Sequence, residues 1–260
     1  MNLEVLITTM HQNDFSKINE MNIESNSIIA NQTNFNKYEE KIINDKVIKM
    51  ISTKTRGLSK NRNIALVFSN AEYVLFADDD MKFIPGYEEL IEKEFKAIKN
   101  AEAIKFYVEN INSNRKLSWN RPGSIKKATR KNISSAGVVA LVIKTEILKK
   151  HCLFFNEKFG SGTENYCGED TIFLQELVNK KINFYISPTK ISNISQGKSS
   201  WFEGYNEKYF QIVGKVLGTI YPILSYFIIL RSSYKFNKNK ECNLNFRKIL
   251  KNYFIGIRNK

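Results

Sequence analysis

Histidine and cysteine are scarce in this chain, with two His and three Cys among 260 residues. His11 and His151 stand in no metal-ligand spacing. Cys152, Cys167 and Cys242 are odd in number and far apart, which suits neither a disulfide framework nor a CxxC metal site and points to a reducing compartment. Cys167 has no His beside it and reads as a buried structural thiol rather than a nucleophile. Four Pro and 12 Gly are too few for a disordered or low-complexity chain, and no internal repeat is present. Acidic residues are outnumbered, 26 against 40 Lys and Arg, for a formal charge of +14. Such an excess favours anionic partners, although a chain rich in Lys, Asn and Ile also carries it as plain compositional bias. No basic motif interleaved with aromatics is found, so nucleic acid is not an expected partner. The start, Met1-Asn2-Leu3-Glu4-Val5-Leu6-Ile7, is too short and acidic for a signal peptide and reads as a first strand, so a cytosolic chain is expected.

Apolar residues make up 42% of the chain, including 18 Phe and 12 Tyr, enough for the core of one large domain with an appendage. Short apolar runs bounded by polar turns read as buried strands at Leu3–Thr8, Ser27–Ala30, Lys46–Ser52, Tyr73–Ala77, Ala103–Val108, Gly137–Ile143 and Ile182–Ile186. Between them lie helical patterns: Lys60–Phe68 with Ser59 as a candidate cap, Glu88–Asn100, Thr145–Lys149 and Asp170–Lys180. Strands alternating with helices predict an α/β fold with a largely parallel sheet. Glu109–Lys131 is polar and basic, a candidate mobile loop.

The last sixty residues differ. Tyr209–Leu230 is apolar apart from Gln211 and Lys215, and contains Pro222. As one helix it would run about 33 Å, near the thickness of a bilayer core. Beyond it come Arg231, Lys235, Lys238, Lys240, Arg247, Lys248, Lys251, Arg258 and Lys260, against the single acid Glu241. An apolar helix with a basic tail fits attachment to an anionic membrane surface. It equally fits a helix closing the core, with a solvated tail; Lys215 and Pro222 speak against a span.

The acidic triplet Asp78-Asp79-Asp80 closes the strand Tyr73–Ala77, at the end where open α/β sheets bind ligands. Like charges about 4 Å apart repel by about 4 kcal/mol at an effective dielectric near 20, so such a cluster takes up a proton or a hard cation, Mg²⁺ or Mn²⁺. Alternation puts Asp78 and Asp80 on one face, with Asp79 turned away. A plain acidic turn is the competing reading. Glu169-Asp170 opens a helix: a carboxylate there caps the helix or, facing a cleft, accepts a proton from an incoming hydroxyl. Arg56 and Arg62 flank the Gly57-Leu58-Ser59 turn, where guanidinium and backbone N–H groups suit phosphate, or where the arginines are surface charge.

The order of these segments resembles the family 2 glycosyltransferases of the GT-A type. GLSKNRNIAL is similar to the family's Gly-x-Ser-x-x-Arg-Asn segment, VLFADDDMKFIPGY to its Asp-x-Asp strand and turn, and CGEDTIFLQEL to its Glu-Asp motif. The likeness runs over about Leu3 to Ser200. It implies a GT-A fold over residues 1–200, with a nucleotide-sugar half to about residue 108, an acceptor half from about 109, and a helical, basic appendage over 201–260. It further implies an inverting transfer of sugar from a nucleotide-sugar, UDP-linked in the first instance, to a hydroxyl of a cell-surface glycan or lipid-linked acceptor. Asp78 and Asp80 would hold the divalent metal on the donor diphosphate. Thr8, Thr9, Asn31, Arg56, Ser59, Arg62, Asp78 and Asp79 would surround the nucleotide-sugar. Asp170 would be the general base, with Glu169 and Trp201 near the acceptor. The enzyme would work at the inner face of the cell membrane. Two departures are visible: Asn31-Gln32-Thr33-Asn34 stands where the family has an acidic pair and Gly-Ser, and no late His joins the metal site, Lys198 being the cation in that region. A nucleotidyltransferase would carry a Gly-rich basic loop after the first strand, which Thr8-Thr9-Met10-His11 is not. A non-catalytic nucleotide-sugar-binding protein on the membrane is the other alternative.

Overall fold

The computed structural model describes residues 1–111, 121–195, 202 and 204–260. In chain order it comprises β1 (Leu3–Met10), α1 (Lys17–Glu20), β2 (Asn26–Gln32), β3 (Lys37–Ile43), β4 (Lys46–Thr53), α2 (Leu58–Phe68), β5 (Tyr73–Asp78), β6 (Met81–Phe83), α3 (Tyr87–Ala97), β7 (Ala103–Asn110), β8 (Lys126–Lys127), β9 (Leu141–Lys144), α4 (Thr145–Lys150), α5 (Glu169–Asn179), β10 (Phe184–Ile194), α6 (Glu207–Ile220), α7 (Ser225–Asn237) and α8 (Phe246–Arg258).

One sheet runs in the order β3-β4-β2-β1-β5-β9-β7-β10-β6, with β8 added beside β10. The run β4-β2-β1-β5 is parallel, as the alternation of strands and helices predicts, and β7 pairs in parallel with β10. β9 is antiparallel to both β5 and β7, and β3 and β6 are antiparallel at the edges. The sheet is therefore mixed rather than largely parallel. β1 and β5 are mostly apolar and buried through nearly all their length because the sheet is covered on both faces. One core cluster gathers Val5, Ile7, Leu75, Tyr87, Ile91 and Phe106; the other, on the opposite face, gathers Leu6, Ile28, Phe76, Phe155, Phe173 and Leu174.

Several expectations shift. β3 escapes periodicity because it is an edge strand with an almost wholly exposed, charged sequence. Its hairpin partner is set by Asn44 and Asp45, both at positive φ (50° and 61°), the geometry of a two-residue hairpin turn. The strand expected over Gly137–Ile143 begins only at Leu141, because Ala140 takes a φ of 59° and turns the chain into β9. Of the expected loop Glu109–Lys131, its first two residues finish β7, Lys126–Lys127 form β8, and 112–120 lie outside the described residues.

The largest correction is C-terminal. Tyr209–Leu230 is not one helix: α6 ends at Ile220, Tyr221–Leu224 turn at Pro222, and α7 begins at Ser225. Pro222 lacks the N–H that a continuous helix needs. Among the described residues no helix is long and apolar enough to cross a membrane. α6, α7 and α8 instead pack around Phe210, Ile229, Ile249, Tyr253 and Ile257. This bundle is joined to the sheet domain through Val216 and Ile220, which meet Phe159 and Ile172. Lys215 Nζ adds a 2.9 Å bond to Asn165 Oδ1, and Tyr221 OH one of 2.9 Å to Gln175 Oε1.

Candidate active site

The parallel register puts Thr8, at the end of β1, beside Asp78, at the end of β5. Thr8 Oγ1 donates to Asp78 Oδ1 at 2.9 Å, and Thr9 Oγ1 to Asp79 Oδ2 at 2.5 Å. Two adjacent hydroxyls thus hold two adjacent carboxylates. Asp80 follows at the turn into β6, exposed, with its carbonyl accepting from Ser195 N at 3.2 Å.

α2 brings in the counter-charge. Its polar residues are mostly fasteners. Ser59 Oγ donates to the Phe159 carbonyl at 2.7 Å, and Asn61 Nδ2 to the Ala30 carbonyl at 2.7 Å. Asn63 exchanges two bonds with the backbone of Phe155, at 2.9 and 2.8 Å. Ser59 is not the helix cap; Gly57 occupies that position, with its N–H on Gln32 Oε1 at 2.9 Å. So fastened, the helix aims Arg62 inward. The guanidinium is buried, lies 5.2 Å from the centre of the Phe155 ring, and bridges Asp78 (Nη2 to Oδ1, 3.1 Å) and Asp170 (Nη1 to Oδ1, 2.6 Å), with Glu169 Oε1 at 3.7 Å. Its pKa is raised: burial opposes the charge, but the carboxylates of Asp170, Asp78 and Glu169 outweigh it.

Asp170 is in the first turn of α5, and its Oδ2 also accepts from Val138 N at 3.2 Å. Burial first, then the neighbouring Asp170 charge, raises Glu169 well above the usual carboxylate range, with Arg62 opposing. Burial pushes the Cys167 thiol up to about 12, as expected of a structural cysteine. Desolvation, followed by the Asp78 and Asp79 charges, pushes Asp80 up to about 6.

The structure therefore brings Thr8, Thr9, Arg62, Asp78, Asp79, Asp80, Glu169 and Asp170 to one end of the sheet. Asn31 is buried elsewhere in the strand ends, its amide donating to the Gln12 carbonyl at 2.7 Å and Ser52 Oγ at 3.1 Å while its oxygen accepts from Gln12 N at 3.0 Å. Arg56 is exposed and clasps the β2–β3 connection through the Thr33 carbonyl and Asn34 Oδ1, both at 2.7 Å. Trp201 and Lys198 lie outside the described residues. Three participants were not singled out from the sequence. Val138 contributes only a backbone N–H, which no side-chain pattern announces. Lys17 on α1 is close enough for the Asp79 and Asp80 charges to help raise its pKa, after its own bond to Glu20. Lys105 on β7 is buried, donates to the carbonyls of Val139 (2.5 Å) and Phe106 (3.1 Å), and has its pKa pushed down to about 7 by desolvation, against the pull of Asp170.

Among the described residues no three His, Cys, Asp or Glu side chains could by themselves hold a metal ion. The donor set still suits a hard cation of the kind that takes one or two carboxylates and completes its shell with substrate phosphates. Asp80, crowded by two carboxylates and facing solvent, could supply one such oxygen, and Asp78, already held by Arg62 and Thr8, a second.

A mixed sheet flanked by helices, with further helices at the C-terminal end, matches the GT-A glycosyltransferase structures. Solved structures with this fold include Staphylococcus aureus TarS 1–349 in complex with UDP-GlcNAc (TM-score 0.62, 14% identity, 98% of this chain and 72% of that one). The same fragment in complex with UDP matches with a TM-score of 0.60, 14% identity and 98% and 71% coverage; a further S. aureus TarS structure matches at 0.60, with 13% identity and 98% and 43% coverage. At such identities the likeness is one of fold. No curated protein matches the chain. Residues 30–151 match glycosyl transferase family 2, which supports a glycosyltransferase that uses a nucleotide-sugar donor.

Proposed function

We propose that the enzyme is an inverting transferase that moves a sugar from a UDP-sugar to a hydroxyl of a cell-surface glycan or lipid-linked acceptor, at the inner face of the membrane. The observation that carries this is the Arg62 bridge, which ties Asp78 at the end of β5 to Asp170 at the start of α5, residues far apart in sequence. In this reading the donor-side and acceptor-side acids act together at one end of the sheet. Complexes of the structurally similar TarS with UDP and UDP-GlcNAc support the choice of donor.

In this reading the donor diphosphate lies over the ends of β1 and β5. Thr8 and Thr9 fix the carboxylates there, and Arg62 offers positive charge at their rear. Asn31 and Arg56 shape the base-side loop, and Ser59 locks α2 behind it. Asp80, with Asp78, would hold a divalent ion, which supplies charge neutralisation on the departing nucleoside diphosphate. Asp170 Oδ takes the proton of the acceptor hydroxyl as its oxygen bonds to the anomeric carbon from the face opposite the breaking bond to the diphosphate. Val138 N and Arg62 hold that carboxylate in place, and Glu169 lines the acceptor side. Trp201 and the basic stretch around 109–131 are proposed to contact the acceptor. The division into a nucleotide half to about residue 108, an acceptor half to 200 and a membrane-facing appendage over 201–260 belongs to the same reading.

Purified enzyme supplied with UDP-sugars, Mn²⁺ and acceptor tests it. Asp170→Asn is expected to keep donor binding and lose transfer by about 10²–10⁴-fold. Asp80→Ala is expected to abolish the response to Mn²⁺. Unchanged turnover in Asp170→Asn removes the base assignment, and unchanged metal dependence in Asp80→Ala removes the metal assignment.

A further inference from the structure

The bundle of α6, α7 and α8 buries one side of α7 through Ser225, Ile229 and Ser233. The opposite side carries Ile223, Phe227, Leu230 and Tyr234, spaced four, seven and eleven residues from the first, so that they form one outward stripe beginning in the Pro222 turn. Their exposures are 79%, 68%, 47% and 57%, unusual for large apolar side chains that line up together. Arg231, Lys235 and Lys238 are exposed alongside, and Lys238 Nζ sits 4.4 Å from the centre of the Tyr234 ring. From Lys208 to Lys240 the sequence contains no acid.

We infer that the α6–α7 turn and the outward stripe of α7 form a docking face for an anionic lipid bilayer, with Phe227 and Leu230 entering the acyl boundary and Arg231, Lys235 and Lys238 meeting the headgroups. The charge pattern selects this occupant. A second copy of the chain, packed by the same face, would set these cations against their equals. Anionic headgroups neutralise all of them at once, while the apolar stripe leaves water, and aromatic and basic side chains side by side suit the interface between the two. The proposal gives the membrane association suggested above a specific surface. It rests on that reading of location only and is independent of the donor and of Asp170.

Flotation of the full chain with vesicles tests it without any sugar transfer, so its failure would leave the transferase reading standing. The enzyme is expected to float with phosphatidylcholine vesicles containing phosphatidylglycerol and to remain behind with phosphatidylcholine alone. The double substitution Phe227→Ser/Leu230→Ser is expected to reduce partitioning at least about tenfold, and Arg231→Gln/Lys235→Gln by about tenfold or more, at about 1 kcal/mol per cation. Far-UV circular dichroism and thermal melting establish that each variant is folded. Absence of binding to the anionic vesicles, equal binding to neutral ones, or full binding by the folded serine variant overturns the proposal. So does a dimer in size-exclusion chromatography that Phe227→Ser/Leu230→Ser converts to monomer, because a second copy would then cover this face.

Discussion

Lys105 lies in the middle of β7, among Ala103, Ile104, Phe106 and Val108, all buried. Burying an ammonium there disfavours its charged form, and its pKa falls to about 7, with the Asp170 carboxylate on α5 pulling the other way. The folded protein therefore holds fewer protons at this residue than the unfolded chain between about pH 7 and the ordinary lysine value of 10.5. Stability from this site rises with pH through that window. Lys105→Met removes the dependence. Relative to wild type the variant is expected to be most favoured at pH 7 and to lose that advantage by pH 10, read as the difference between their melting temperatures. A difference independent of pH would show that Lys105 is protonated in the fold throughout. Sequence alone does not reveal this residue, since one Lys in an apolar strand reads as an outward position. Asp78 and Asp80 are legible because they close an apolar strand, and Asp170 because it opens a helix with an apolar pattern. The salt bridge that joins Asp78 to Asp170 through Arg62 is not, because it depends on strands and helices that meet only in the tertiary fold.

At the scale of elements, the helix pair α6 and α8 is held together by glycines. A Cβ at Gly256 would stand 2.0 Å from the Gln211 carbonyl oxygen, and one at Gly214 would stand 2.4 Å from that of Tyr253. Backbone meets backbone, so the clash cannot be relieved by turning a side chain. Gly256→Ala is expected to cost about 2 kcal/mol or more in chemical denaturation, the range of an overpacked contact. Gly123→Ala, which meets nothing within 4 Å, is expected to have almost no effect. Equal stabilities for the two variants would show that α6 and α8 can separate freely. α6 carries a clear apolar pattern, yet its sequence reads with that of α7 as a single long helix because the apolar run continues through Pro222. The α/β part is easier to read: β1, β2, β4, β5 and β7 stand out as apolar runs, buried on both faces. β3 is lost to sequence reading because an edge strand needs no apolar face; β9 is legible as a strand, but its start and its antiparallel place between β5 and β7 depend on the turn at Ala140.

Across the whole molecule, the C-terminal bundle meets the sheet domain at the start of the helix that carries Asp170. Gly168 immediately precedes α5 with a φ of 104°, and a Cβ there would stand 2.3 Å from Val216 Cγ2 on α6. The bundle thus bears directly on the turn that presents the proposed base, while its far side carries the stripe on α7. Gly168→Ala combines two costs, a backbone conformation that an L-residue resists and a clash with Val216. Val216→Ala removes the second and leaves the first. A double-mutant cycle is therefore expected to show a coupling of about 0.5–3 kcal/mol, with the double variant recovering part but not all of the stability lost in Gly168→Ala. Turnover is expected to follow the same pattern, because displacing the α5 start moves Asp170 away from Arg62 and Val138. Strict additivity in both stability and turnover would mean that the bundle only rests against the catalytic domain. Coupling in both would mean that the proposed membrane face on α7 has a packed route, through α6 and Val216, to the proposed base Asp170.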